Sequence, residues 1–218
     1  MKVINILTAT LIGVTVAQAN NDMKLFTEFG TNYTTAENSK VFNVEPLVNI
    51  VGGNAESYTA KFGVAKNNMA AYTYATYFNT EKKYNELTIG VGAKMYSDPF
   101  FNFVKIYGDF SAGLGSQKNK GKKLNLSSNV TNLNAAMHSY STGNYTGYFT
   151  TDTKLIEFNI GVGMQFKTFV KDLYINTDYS YQHKEYLFQY RIVGTTSFMD
   201  TNAVQDAYKA SVSLEYQF

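Results

Sequence analysis

The sequence predicts an all-β fold: a closed, eight-stranded, antiparallel up-and-down transmembrane β-barrel, with ten strands as the alternative. Three observations predict it. Several segments of about a dozen residues alternate strictly between apolar and polar side chains. The connections between segments alternate between short and long. Charges and glycines fall on one face of each segment.

The N-terminus reads first as an export signal. Lys2 supplies a positive start, Val3 to Val16 is largely apolar, and Ala17-Gln18-Ala19 matches the small-x-small pattern of a cleavage site. The apolar run is shorter than the ~20 residues a spanning helix needs. The expected organisation is therefore a cleaved signal over 1–19 and a single barrel domain over 20–218.

Composition excludes several classes. With no cysteine, an exported chain of this kind cannot rely on disulfides. Removing Lys2 takes the basic count from 19 to 18 against 17 acidic residues, so the net charge of the exported chain is about +1. A nucleic-acid partner needs a concentrated basic surface, which this balance does not provide. No later stretch approaches the length of a helical membrane span.

The alternation is clearest in three segments. Tyr208, Ala210, Val212, Leu214, Tyr216 and Phe218 form one face of the last strand, against Lys209, Ser211, Ser213, Glu215 and Gln217. Leu87 to Met95 and Ile156 to Phe166 split in the same way. Successive strand residues point to opposite sides, so each segment has one apolar and one polar face. Strands are expected near 22–33, 55–66, 69–79, 84–96, 102–115, 153–166, 172–182 and 207–218. Residues 66–68, 97–101 and 167–171 are tight connections, whereas 34–54, 116–152 and 183–206 are long and polar, and on that side only 79–84 is brief. Whether 40–51 and 186–194 lengthen these strands or add a ninth and tenth is left open by the pattern.

Charge placement tests this independently. The inward face is expected to carry Lys24, Glu28, Lys61, Glu86, Lys94, Lys105, Asp109, Glu157, Asp178, Lys209 and Glu215, nearly balanced in sign. A Lys or Arg on a lipid face costs ~2–4 kcal/mol near the midplane, so a bilayer enforces this segregation. Gly30, Gly63, Gly90, Gly92, Gly113, Gly115, Gly161 and Gly163 share the inward parity. An eight-stranded interior holds only side chains, and small residues make room for long ones. The expected consequence is a salt-bridged plug led by Glu28, Lys61, Lys105, Asp109, Glu157 and Lys209, since buried charges must be paired or hydrated.

The Ala17-Gln18-Ala19 site, the Ile89-Gly90-Val91-Gly92 and Ile160-Gly161-Val162-Gly163 strands and the closing Leu214-Glu215-Tyr216-Gln217-Phe218 are the features of a known family. In them the chain resembles the small OmpA/OmpX-like outer-membrane barrels, including the opacity-type surface proteins. The resemblance implies a monomer in the outer membrane of a Gram-negative bacterium, in contact with lipid and lipopolysaccharide. It also implies insertion by the barrel assembly machinery, with Leu214, Tyr216 and Phe218 as the assembly signal, and surface loops able to meet a host ligand. It does not imply one activity, because this scaffold hosts several.

Candidate chemistry is sparse. Gly90-Val91-Gly92 and Gly161-Val162-Gly163 lack the third glycine and the helix of a dinucleotide fingerprint. Gly115 to Lys123 has the wrong spacing for a phosphate loop. His138-Ser139 has no carboxylate nearby in sequence, so a hydrolytic triad is not expected. His183 continues the outward parity of Tyr179 and Tyr181. No cysteine and only two histidines argue against a zinc or transition-metal site, and no cofactor is expected. Lys118, Lys120, Lys122 and Lys123 form the densest charge run and are candidate contacts for lipopolysaccharide phosphates. Two functions fit: a non-enzymatic surface barrel serving envelope integrity or adhesion, or a small-solute channel. Eight strands favour the first, since an open aqueous channel takes about sixteen.

Overall fold

The structure, a computed structural model, describes residues 23–41, 55–79, 84–119, 123–126, 145–149, 153–192 and 198–218. The expected signal segment, His138, Ser139, Lys120 and Lys122 lie outside these residues. Ten strands run in chain order: β1 (Lys24–Val41), β2 (Ala55–Lys66), β3 (Met69–Asn79), β4 (Tyr84–Tyr96), β5 (Val104–Asn119), β6 (Lys123–Leu126), β7 (Tyr145–Phe149), β8 (Thr153–Lys167), β9 (Leu173–Ile192) and β10 (Phe198–Gln217).

Eight of them close a barrel. Each of β1 to β5 pairs antiparallel with the next, β5 pairs with β8, β8 with β9, β9 with β10, and β10 returns to β1. The last seam runs from Phe26↔Gln217 to Val41↔Ala203. Closure leaves no open edge, which is what lets a sheet cross lipid without unsatisfied backbone groups. The other two strands are a four-rung hairpin, β6–β7, whose second strand pairs with the far end of β9. They stand outside the barrel, so its strand number is eight. Residues 186–192 lengthen β9 rather than adding a strand.

Following pairing partners once around the barrel converts register into tilt. Glu28 leads through Lys61, Tyr74, Gly90, Gly113, Glu157, Lys184 and Gln205 to Ser39, well up the same strand. The β1–β10 register shifts once on the way, between Ala36 and Asn38. A stagger of this size accompanies strands tilted by about 35–45°. β9 and β10, at 20 residues each, then rise well beyond an apolar band about 25 Å tall. The strands were expected to end near the membrane; they continue past it as a sheet.

The packing is inside out relative to a soluble protein. On β4, Leu87, Val91 and Met95 are exposed while Glu86, Thr88 and Lys94 are buried. On β8, Ile156, Phe158, Ile160, Val162 and Met164 are exposed while Glu157, Asn159 and Gln165 are buried. An apolar surface this continuous demands lipid. Three tight turns mark one end of the barrel. Asn67 adopts a left-handed φ of 53° in the first, where a short polar side chain tolerates that region. The second, between β4 and β5, puts Phe101 and Asn102 at φ 51° and 63°. In the third, Thr168 Oγ1 donates to the Leu173 carbonyl at 2.8 Å.

Candidate functional site

The interior is built on aromatic residues seated over glycines. Parity turns Tyr72 and Tyr74 of β3, Tyr107 of β5 and Phe26 of β1 inward, and all four are buried. A Cβ at Gly92 would collide with the Tyr72 ring, one at Gly163 with the Tyr107 ring, and one at Gly113 would lie 2.5 Å from the Tyr74 hydroxyl. A Cβ at Gly63 would stand 2.8 Å from the Phe26 ring. These glycines are therefore sockets, and each phenol can cross the lumen to a carboxylate or carbonyl on the far side.

Two ion-pair clusters fill the space the rings leave. Nearer the short turns, Glu28 accepts from Lys94 at 2.5 Å and lies 3.0 Å from Lys61. Lys61 reaches Asp109 at 3.4 Å, Lys94 reaches Glu215 at 3.7 Å, and the Tyr72 hydroxyl donates to Asp109. Glu215 also accepts from Asn176 at 2.8 Å, Gln217 at 2.9 Å and Gln165 at 3.1 Å. Nearer the long loops, Lys184 holds Glu86 at 2.5 Å and Glu157 at 3.5 Å. Asn159 donates to Glu157 at 2.7 Å and the Tyr74 hydroxyl does so at 3.1 Å. The Tyr186 hydroxyl donates to Glu86 at 3.1 Å.

Between the clusters lies a cavity of about 30 Å³ lined by Asp178, Lys209, Asn159, Ser111 and Ser211, among others. That is room for one or two waters. Lys94, Glu28, Glu86, Glu157 and Glu215 all point toward the barrel axis, yet none is more than 2% exposed. In an aqueous channel such groups would be wetted. Here they are sealed by one another.

Not all the expected plug residues meet. Glu28, Lys61, Asp109 and Glu157 sit in the clusters, together with Lys94, Glu86 and Glu215. Lys105 does not: it lies at the short-turn mouth with its ammonium 5.6 Å from the Tyr96 ring centroid. Among the described residues Lys209 hydrogen-bonds only the Asn159 carbonyl, at 3.4 Å, and Asp178 accepts from Ser211. Lys24 is exposed and stands 3.7 Å from Asp172. Tilt explains these misses, because parity sets the face but not the height at which a side chain enters the lumen. Lys184, Tyr72, Tyr74, Tyr107 and Tyr186 were not singled out. Lys184 and Tyr186 continue the parity of Asp178, and the signal was lost only because the strand was expected to stop at 182.

Outside the barrel, Leu214, Tyr216 and Phe218 face outward, with the last two rings in edge contact at 5.0 Å. The Phe218 amide donates to the Leu25 carbonyl at 2.8 Å. Backbone pairing places Lys118 opposite Asn85 and Lys123 opposite Tyr148, both toward the long loops. His183 faces outward and contacts Asp206 at 2.7 Å; the Tyr181 hydroxyl donates to the same oxygen at 2.6 Å.

A closed barrel of eight antiparallel strands with an apolar exterior and a charged interior is the fold of an outer-membrane β-barrel protein. No protein-family model matches the sequence, and neither does any curated protein. Among solved structures, Neisserial surface protein A is similar at a TM-score of 0.49 and 11% identity, over 91% of this chain and 98% of that one. The N-terminal barrel of Pseudomonas aeruginosa OprF gives 0.43 and 13%, over 90% and 98%. OprG of the same organism gives 0.47 and 8%, over 89% and 95%. The fold assignment rests on the strand topology and the inverted burial.

Proposed function

We propose that the chain is a surface protein of a Gram-negative outer membrane that carries no solute flow and acts through its exterior, serving envelope integrity or adhesion. The sealed lumen carries this reading. A barrel whose axial charges are almost wholly inaccessible to water has no path for a hydrated ion without breaking buried pairs, and breaking one costs several kcal/mol. The short turns then face the periplasm and the long loops the outside, as in other barrels of this kind. The Lys118, Lys120, Lys122 and Lys123 run would meet lipopolysaccharide phosphates at the outer surface. A channel for small solutes is the competing reading.

Planar-bilayer recording separates the two. The wild-type protein should give small or no conductance, and large, stable single-channel currents would overturn the sealed-barrel reading. Paired binding measurements on intact cells, with 127–144 replaced by a short linker, should show loss of surface contacts without loss of the barrel.

A further inference from the structure

We infer that the short-turn mouth of the barrel is a binding site for a small phosphate-bearing polyol, of the glycerol phosphate type. The mouth widens into a vestibule of about 310 Å³, which lies at the lower end of the size range of small-ligand pockets and exceeds what a bare ion fills. Three lysines, Lys24, Lys105 and Lys167, line it.

Their pairing differs from that of every cluster lysine deeper in the lumen. Lys61, Lys94 and Lys184 each have a carboxylate within 4 Å. In the vestibule only Lys24 does, at 3.7 Å from Asp172. Among the described residues Lys105 and Lys167 have no carboxylate partner, and Lys105 is held instead over the Tyr96 ring. Burial requires the deeper lysines to be paired. Nothing in folding requires three lysines to line one opening. An anion there would neutralise the positive charge that Asp172 alone does not balance. A phosphate group, with several strong acceptor oxygens for several ammonium donors, suits that opening better than a single carboxylate.

The remaining lining favours an anion that carries hydroxyl groups. Gln165 and Gln217 spend their Nε2 groups on Glu215, at 3.1 and 2.9 Å, which leaves each Oε1 to accept from a ligand hydroxyl. Tyr174 brings a phenol to the same wall. The chemistry has two sources, a phosphatidylglycerol headgroup of the adjoining leaflet or a soluble phosphate ester. Naming that leaflet as periplasmic rests on the orientation proposed above; the site itself does not.

The test uses the refolded full barrel in phosphatidylcholine nanodiscs, with lysines carrying ¹³C-methyl labels read by NMR. Titration with sn-glycerol 1-phosphate should shift the Lys24, Lys105 and Lys167 signals saturably and leave Lys66, on the outward face of β2, unmoved. A second arm adds phosphatidylglycerol to the disc in place of the ester. Response to the ester alone assigns a soluble ligand, response to the lipid alone assigns a headgroup, and response to both supports both sources. The double variant Lys105→Gln/Lys167→Gln, checked for unchanged heat-modifiable gel mobility, should weaken binding at least tenfold. Equal shifts at Lys66, no response in either arm, or wild-type affinity in the double variant would each overturn the site. Inorganic phosphate binding as tightly as the ester would overturn the polyol assignment. None of these readouts depends on whether the barrel conducts.

Discussion

The two ion-pair clusters of the lumen use the same residue types but distribute their charge differently. Near the short turns, two lysines share three carboxylates, and Glu215 is further held by three amides. Near the long loops, Lys184 is the one cation within 4 Å of both Glu86 and Glu157 among the described residues. In the first cluster Glu28 is held redundantly, by two lysines, whereas the second cluster hangs on a single ammonium group. Losing Lys61 or Lys94 leaves Glu28 paired, and Asp109 or Glu215 then keeps only its neutral donors. A lone cation that is lost strands two buried carboxylates at once.

That difference predicts an order of effects. Lys184→Met should be the most damaging change, lowering stability in urea-titrated lipid vesicles by about 3–5 kcal/mol, the cost of breaking a buried pair from one side. Adding Glu86→Gln to that variant should recover part of the loss, and the double-mutant cycle measures how much of it is a stranded charge. A Lys184→Met barrel as stable as the wild type would remove the distinction between the clusters.

Lys61→Met should cost less, about 1.5–3 kcal/mol, the range for a lost charged hydrogen bond. Lys94 still holds Glu28 at 2.5 Å, and Asp109, which loses its one lysine, keeps the Tyr72 hydroxyl. Equal losses for Lys61→Met and Lys184→Met in the same titration would show that redundancy has no energetic meaning here.

Tyr74→Phe sharpens the comparison further, since it takes from the Glu157 carboxylate one hydrogen bond of 3.1 Å from an uncharged donor and leaves the ring in its glycine socket. A loss of about 1.5 kcal/mol, the lower end for a hydrogen bond to a charged group, is expected by the same unfolding measurement. A loss as large as that of Lys184→Met would shift the weight of the upper cluster from the ion pair to the phenol.

Phe218→Ala should have the smallest effect on the finished barrel, because its ring is exposed and touches Tyr216 from the outside. Refolding in detergent should be normal by heat-modifiable mobility. Outer-membrane yield in cells should fall if the aromatic residue serves as an assembly handle. Normal yield would remove that role, and failed refolding would assign the ring to packing instead.

Much of this molecule was legible before any fold was seen, and the reason is period two. Glu86 and Lys94 are buried between exposed Leu87, Val91 and Met95 because alternate strand residues must face opposite sides. The inward glycines were legible for the same cause, and so was their making room for long side chains, though not which side chain each one seats. That Gly92 seats Tyr72, or Gly163 seats Tyr107, depends on which strands lie side by side and at what height. Lys105 and Lys209 face inward as expected but stand apart from the ion-pair clusters for that reason. The strand lengths of β9 and β10 were underestimated because polar residues above the membrane look like loop when read alone.

By itself the sequence determined the face on which each side chain lies and the end at which the short turns gather, and it narrowed the barrel to eight or ten strands. These follow from local geometry, where one residue's direction sets the next. Only the tertiary structure decided who meets whom across the lumen. Lys184 and Glu86 are 98 residues apart and come within 2.5 Å because the accumulated stagger of the intervening strands brings them to one height. That stagger is a property of the closed barrel, summed over every pair of neighbours, and no single strand carries it.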